Sequence, residues 1–369
     1  MSDPITLFLG GDVMTGRGID QLLAHPGDPA LHEGWLVDAR EYVSLAERRG
    51  GPIPRPVSWG YPWGEALDEL ERARPAARVV NLETSVTRSG AWEEKGINYR
   101  MHPDNVGVLT AARLDVCVLA NNHVLDWGRA GLLETLDTLD GAGLKRAGAG
   151  RDLDEARQPA VVHLPGGGRL LVFAFGLESS GIPAGWAAAQ ARPGVWRLPD
   201  LSPASLEQIA AAVHAQRRPG DLAVASVHWG GNWGWEVPPA RRRFARALVE
   251  ACGVDLVHGH SSHHPLGIEV HAGRLILHGC GDLIDDYEGI HGHEEYRDEL
   301  RLLYLPRLEP GTGRLVGLRL VPLRSDRLRL RRASQDDARW LRDVLAREGA
   351  GPGAEVRLEP DGGLAILEG

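Results

Sequence analysis

Lysine is almost missing from this chain. Of 41 basic residues only Lys95 and Lys145 are lysine, and the remainder are arginine. Lys95 stands out because it lies in a loop among candidate functional residues. Positive charge as a whole is also in deficit, with a formal net charge of −9. Nucleic-acid binding calls for a basic face, so a nucleic acid is not the expected partner. Cysteine is scarce and odd in number: Cys117, Cys252 and Cys280, far apart in apolar surroundings. That pattern excludes a disulfide framework and reads as reduced thiols. No run approaches the roughly 18–20 apolar residues of a membrane-spanning helix, so no membrane insertion is expected. The opening MSDPITLFLGGD lacks a basic segment followed by a long apolar one, and a cytoplasmic location is expected.

What is present is ordinary material for a large core. Hydrophobic residues make up 43% of 369, which suits one integrated α/β domain with appended pieces. The main domain is expected over 1–325, with a Gly-, Pro- and Trp-rich irregular insertion over 26–62. A C-terminal helix and β-pair over 326–369 are expected to pack on it. Apolar runs such as ITLFLG, ARVVNLE and DVCVLANNH alternate with helical spacings such as GEALDELERAR and GRAGLLETLDTLDG. That alternation implies a parallel sheet with crossover helices. Later segments read as hairpins (159–176, and LGIEVHAGRLIL) and as strands ending at His228 and His260.

The stretch LANNHVLDWG, 119–128, breaks the apolar pattern. Asn and His have poor strand propensity and are costly to bury without partners. A metal ion is one such partner, and the rest of the chain supplies others. Asp12, Glu83, Asn122 with His123, His228, and His260 with His263 all lie at or just past predicted strand ends. In an open α/β sheet these ends converge on one edge, where ligand sites form. Carboxylate, carboxamide and imidazole donors without thiolate suit one or two divalent ions of the Mn, Zn, Fe or Mg type. Glu83 has the length to bridge two ions, which together hold a hydroxide nucleophile and polarise a substrate oxygen. His123, next to the ligand Asn122, is placed to protonate a leaving group. Arg17, Lys95 and Arg100 are candidate clamps for an anionic small-molecule or polymer substrate. Asp282 is a candidate hydrogen-bond partner for a ligand histidine.

The blocks GGDVMTGRGID, NLETSVT, LANNHVLDWG, SVHWGGNWGWE, VHGHSSHHPLGIEV and LHGCGDLIDDYEGI together resemble the CapA family. That family is associated with bacterial poly-γ-glutamate capsule synthesis and belongs to the calcineurin-like metallophosphoesterase superfamily. The similarity spans roughly residues 5–290. It implies a four-layer α/β/β/α sandwich and a glutamyl-type amide substrate, with a phosphate ester or a non-catalytic polymer-binding role as alternatives. It also implies roles residue by residue. Asp12 matches the first-metal Asp, Glu83 the bridging Asp, Asn122 the second-metal Asn and His123 the catalytic His. His228 matches the next metal His, and His260 with His263 the closing pair. Three departures are visible. Met14 stands where the superfamily's Asp-x-His has its imidazole, Glu83 is one methylene longer than Asp, and the closing histidines are spaced one residue wider.

Other polar residues have plainer readings. His258 reads as a satisfied core histidine, and His264, His271 and His278 as loop or strand-face residues. His291 and His293 read as a solvated turn rather than another metal site. Asp285, Asp286 and Glu288 read as helix caps or solvated groups, and Cys280 as packed. Trp229, Trp233 and Trp235 either wall a pocket or anchor a Gly-rich loop.

Overall fold

The computed structural model describes residues 3–349 and 354–368. Two large sheets face each other between helices. The first has ten strands. Its centre is the parallel set Ile5–Val13, Ala77–Leu82, Val116–Val118 and Lys145–Ala147. Antiparallel strands Leu300–Leu308 and Leu315–Ser325 extend it on the other side. The second has six strands, with Arg169–Gly176, Leu222–His228, Leu256–His260 and Arg274–Leu277 mutually parallel.

Side-chain alternation along the strands builds the layers. Leu7, Leu9, Val79, Val116 and Val118 of the first sheet meet Val172, Val224, Leu256 and Leu275 of the second in one buried cluster. The alternate residues Phe8, Val80 and Cys117 face an outer cluster with Leu22, Leu70, Leu132 and Leu136 of the flanking helices. On the far side Leu171, Phe173, Ala223 and Val257 pack against Ile209, Phe244 and Leu248 of helices Pro203–Gln216 and Pro239–Ala251. The order is helices, sheet, sheet, helices, the four-layer α/β/β/α arrangement. Strands covered on both faces carry near-continuous apolar runs, as parallel strands do.

One irregularity matters for function. Between Gly10 and Asp12 the first strand slips register against its neighbour: Gly10 pairs with Val80, but Asp12 pairs with Asn81. Gly11 is the extra residue of a β-bulge. Without it Asp12 would share the outer face with Phe8. With it Asp12 joins Leu7 and Leu9 on the face between the sheets. Only glycine fits there, because a Cβ on Gly11 would stand 1.7 Å from the carbonyl oxygen of Gly281. That same oxygen accepts the Asp12 N–H at 3.0 Å.

The segment 26–62 is less irregular than its composition suggests. It contains a helix, Arg40–Gly50, whose Tyr42, Val43 and Ala46 are buried. Its helical spacing was obscured by the Gly- and Pro-rich flanks. The strand at 116 is shorter than DVCVLANNH implies, ending at Val118. Past it the Asn121 side-chain oxygen accepts the N–H groups of His123 and Val124, which turns the chain. The C-terminal segment joins the main sheet rather than merely resting on it. Leu364–Glu368 pairs with Leu315–Ser325, and helix Gln335–Glu348 starts with a capping box between Ser334 and Asp337.

A Gly11→Ala variant is expected to lose about 3 kcal/mol of stability by overpacking and to misplace Asp12. Chemical denaturation and metal titration of the purified variant check both effects.

Candidate metal centre

Period-two geometry carries the site upward from the inter-sheet core. On strand Leu222–His228 the inward positions are Leu222, Val224, Ser226 and His228. On strand Leu256–His260 they are Leu256, His258 and His260. Asn81 follows Val79 on the inward face of its strand. The apolar layer therefore gives way to a polar one at the carboxyl ends of the parallel strands.

The structure gathers five of the expected ligands there. Asp12, His228 and His260 each offer a donor atom, and these atoms all lie within 4.8 Å of one another. Glu83 Oε1 is 3.9 Å from His228 Nε2 and 3.8 Å from His123 Nε2. Asn122 Oδ1 is 2.9 Å from His228 Nε2. His263 stands at the edge of this group with Nδ1 2.8 Å from Asp282 Oδ1, and Asp282 pairs in register with Asp12. The Asp282 contact engages Nδ1 and leaves the opposite ring nitrogen of His263 outside that bond.

A hydrogen-bond chain orients the rings. His258 Nε2 lies 2.9 Å from the carbonyl oxygen of Gly10. A carbonyl only accepts, so that nitrogen carries the proton and Nδ1 accepts from Ser226 Oγ at 3.1 Å. Ser226 Oγ is then free to accept from His260 Nε2 at 2.9 Å. His260 is left with an unprotonated Nδ1, the atom that faces His228 Nδ1 at 2.7 Å and Asp12 Oδ1 at 3.9 Å.

Burial sets the charges. It pushes His258 down to about 4, and His228 and His260 well below the usual imidazole range. It pushes Asp12 up to about 7, with Asp282 adding repulsion, and Glu83 well above the carboxylate range, with Asp12 adding to the effect. Burial disfavours a charged His263 too, but Asp282 outweighs it and the net shift is upward. Neutral imidazoles and buried carboxylates that hold their protons more tightly than usual converge here. This donor set fits a divalent cation, which would relieve the desolvation that raises both carboxylates.

His123 is built differently. Its Nδ1 lies 2.7 Å from Asp126 Oδ2, and Tyr99 packs edge-on at 4.4 Å. Lys95 Nζ donates to Asp126 Oδ1 at 2.8 Å and to the Asn122 carbonyl. Burial lowers His123 to about 4 against the pull of Asp126. The ring is neutral, with Nε2 turned toward Glu83.

The three candidate clamps are already engaged. Arg17 is buried, bonded to Asp286, Glu33 and Tyr42. Lys95 is held as described. Arg100 stacks on Trp127 at 3.8 Å and donates to the carbonyls of Ser89 and Asp28. Asp286 and Asp285 are buried rather than solvated, and Asp285 pairs with Arg301. Met14 is buried 3.8 Å from the Tyr287 hydroxyl. His291 is exposed, while His293 stacks on Trp233 at 3.8 Å.

Sequence reasoning missed Asn81, Asp126 and Ser226. Asn81 Nδ2 donates to both Asp12 Oδ1 at 2.8 Å and Glu83 Oε2 at 2.9 Å, holding the two acids in place. Its position two residues before Glu83, on the same strand face, was a usable signal. Asp126, three residues after His123, was another. Ser226 carried none, since its role depends on a neighbouring strand.

The layers and the polar edge define an α/β protein of the metallophosphoesterase type. The chain belongs to the bacterial capsule synthesis protein family PGA_cap, whose model matches residues 6–287. It is 50% identical over 367 residues to a probable polyglutamine synthesis accessory protein of Mycobacterium tuberculosis, covering 99% of this chain and 96% of that one. It is 29% identical to the PGA biosynthesis protein CapA of Bacillus subtilis over 63% of this chain and 58% of the relative. It is also 24% identical to the capsule biosynthesis protein CapA of Bacillus anthracis, over 77% and 61%. No helix among the described residues is long and apolar enough to cross a membrane.

Protons and a cation compete for Asp12, whose pKa is raised to about 7, and for Glu83, whose pKa lies well above its usual range. The lowered histidines stay neutral and do not compete. Affinity for Mn or Zn is therefore expected to fall by at least about tenfold from pH 8 to pH 6. Calorimetric titration at the two pH values measures this.

Proposed function

We propose that this protein is a metal-dependent hydrolase or transferase acting on a glutamyl-type amide in poly-γ-glutamate-related metabolism. The observation that carries the reading is His123 held against Asp126 beside the Asp12–Glu83–Asn122–His228–His260 cluster. A site that merely gripped a polymer would not need an oriented imidazole next to its ligands.

A bound divalent cation would supply Lewis acidity and lower the pKa of a water. The chain's own groups do the rest. Asn81 keeps Asp12 and Glu83 at a fixed separation. The Gly10–His258–Ser226 chain keeps His260 in its ligating tautomer. Asp126 holds the Nδ1 proton of His123, so Nε2 is the working atom. Being neutral before substrate arrives, Nε2 takes a proton as the nucleophile attacks the carbonyl. It then returns that proton to the departing amine nitrogen as the C–N bond breaks. Lys95, bonded to Asp126, orients the pair and opposes early charging of the ring.

A second reading, a phosphoesterase on a small phosphate ester, draws support from the superfamily architecture. A third, a non-catalytic partner that binds the polymer, draws support from the word "accessory" in the name of the M. tuberculosis relative.

Incubating metal-loaded protein with a γ-glutamyl peptide and with an aryl phosphate separates the three. Release of amine from the peptide alone supports the amide reading. Phosphate release alone supports the esterase, and neither product supports the binder. His123→Ala is expected to lower turnover on the order of 10²–10⁴-fold with metal content unchanged. Asp126→Asn is expected to lower kcat with little change in KM.

A further inference from the structure

A cavity of about 220 Å³ opens beside the metal centre. Of the candidate ligands only His263 lines it, so the cavity continues outward from the cluster on that side. Its other walls include the aromatic rings of Trp35, Tyr42, Trp233 and Tyr287, the imidazole of His293, and Asp298.

The charges around it are unequal in their freedom. Arg17 reaches the wall but is neutralised by Asp286 and Glu33, both buried with it. Asp298 is in the opposite state. It is part-buried and takes part in no ion pair among the described residues. The guanidinium that acts on it, Arg301, is bonded to Asp285. Burial raises the Asp298 pKa, as for a carboxylate short of compensation. Ring faces attract cations, most strongly those of Trp. Trp35 stands on this wall, 54% exposed at the mouth, whereas the Trp233 face is covered by His293, stacked on it at 3.8 Å. The cavity thus offers one carboxylate outside any ion pair, Asp298, and one open Trp face, Trp35, while its guanidinium is neutralised and its imidazoles are engaged, His263 with Asp282 and His293 with Trp233.

We propose that this cavity binds an ammonium group carried on an apolar or aromatic stem, with Asp298 as its counter-ion. It is poorly suited to substrate carboxylates. On the proposed amide reading, which the assignment to a substrate portion rests on, it receives the released amine, which gains its charge only once the C–N bond has broken, because the amide nitrogen is uncharged. The carboxylates of a glutamyl chain then lie outside it.

Calorimetric titration of the metal-free full chain, where a carboxylate probe has no cation to coordinate, tests this. The probes are phenethylamine, 2-phenylethanol and 3-phenylpropionate, which share a stem and differ in charge. The amine is expected to bind at least about tenfold tighter than the alcohol, with the carboxylate weakest. Asp298→Asn is expected to erase the amine's advantage, and Trp35→Ala, at an exposed position, to weaken the amine without unfolding the protein. Equal binding of amine and alcohol, preference for the carboxylate, or an undiminished amine preference in Asp298→Asn would overturn the proposal. If Asp298→Asn does not fold, the three-probe ranking and Trp35→Ala decide the matter. The two readings fail separately. Peptide turnover without amine preference removes this site alone, and amine preference without any turnover removes the hydrolase reading alone.

Discussion

Everything distinctive about this molecule follows from burying two carboxylates and several imidazoles at one edge of the space between two sheets. Such groups are costly to remove from water without partners. The fold gives each a partial partner: Asn81 for both acids, Ser226 for His260, Asp282 for His263. None of these partners carries the positive charge that two buried acids require. The buried cations nearby are committed elsewhere, Arg17 to Asp286 and Arg301 to Asp285. A divalent cation is the group whose charge and coordination match what is left over.

The backbone reaches this arrangement by one local device. The Gly11 bulge turns Asp12 from the outer face of its strand to the inner one, where His260 and Asn81 already point. A regular strand would bury the acid among Leu and Val under the outer helices. The Gly-Gly-Asp sequence is thus a geometric requirement, set by the Gly281 carbonyl passing where a side chain would be.

Much of this was legible beforehand, and for physical reasons. Period-two apolar runs marked the strands, and their polar ends marked the edge, so Asp12, Glu83, Asn122, His228 and His260 could be placed together before any coordinates. The resemblance to CapA supplied the sandwich, which local pattern alone does not. What escaped was of two kinds. Helix Arg40–Gly50 lay hidden between Gly- and Pro-rich flanks, where composition outweighs periodicity. The engagement of Arg17, Lys95 and Arg100 depends on contacts with residues such as Asp286, Asp126 and Trp127. Charge alone suggested free clamps, whereas the fold uses these cations to orient its own groups. Asp285 and Asp286 were misread for the same reason, because their partners are remote in sequence.

The central claim concerns a cation held by residues from distant parts of the chain, and anomalous diffraction tests it most directly. Crystals grown with Mn²⁺ and measured near the Mn absorption edge are expected to show a strong peak within bonding distance of Asp12, His228 and His260. Asp12→Ala crystals should lack it. A peak at some other place, or none in protein that turns over substrate at full rate, would contradict the account.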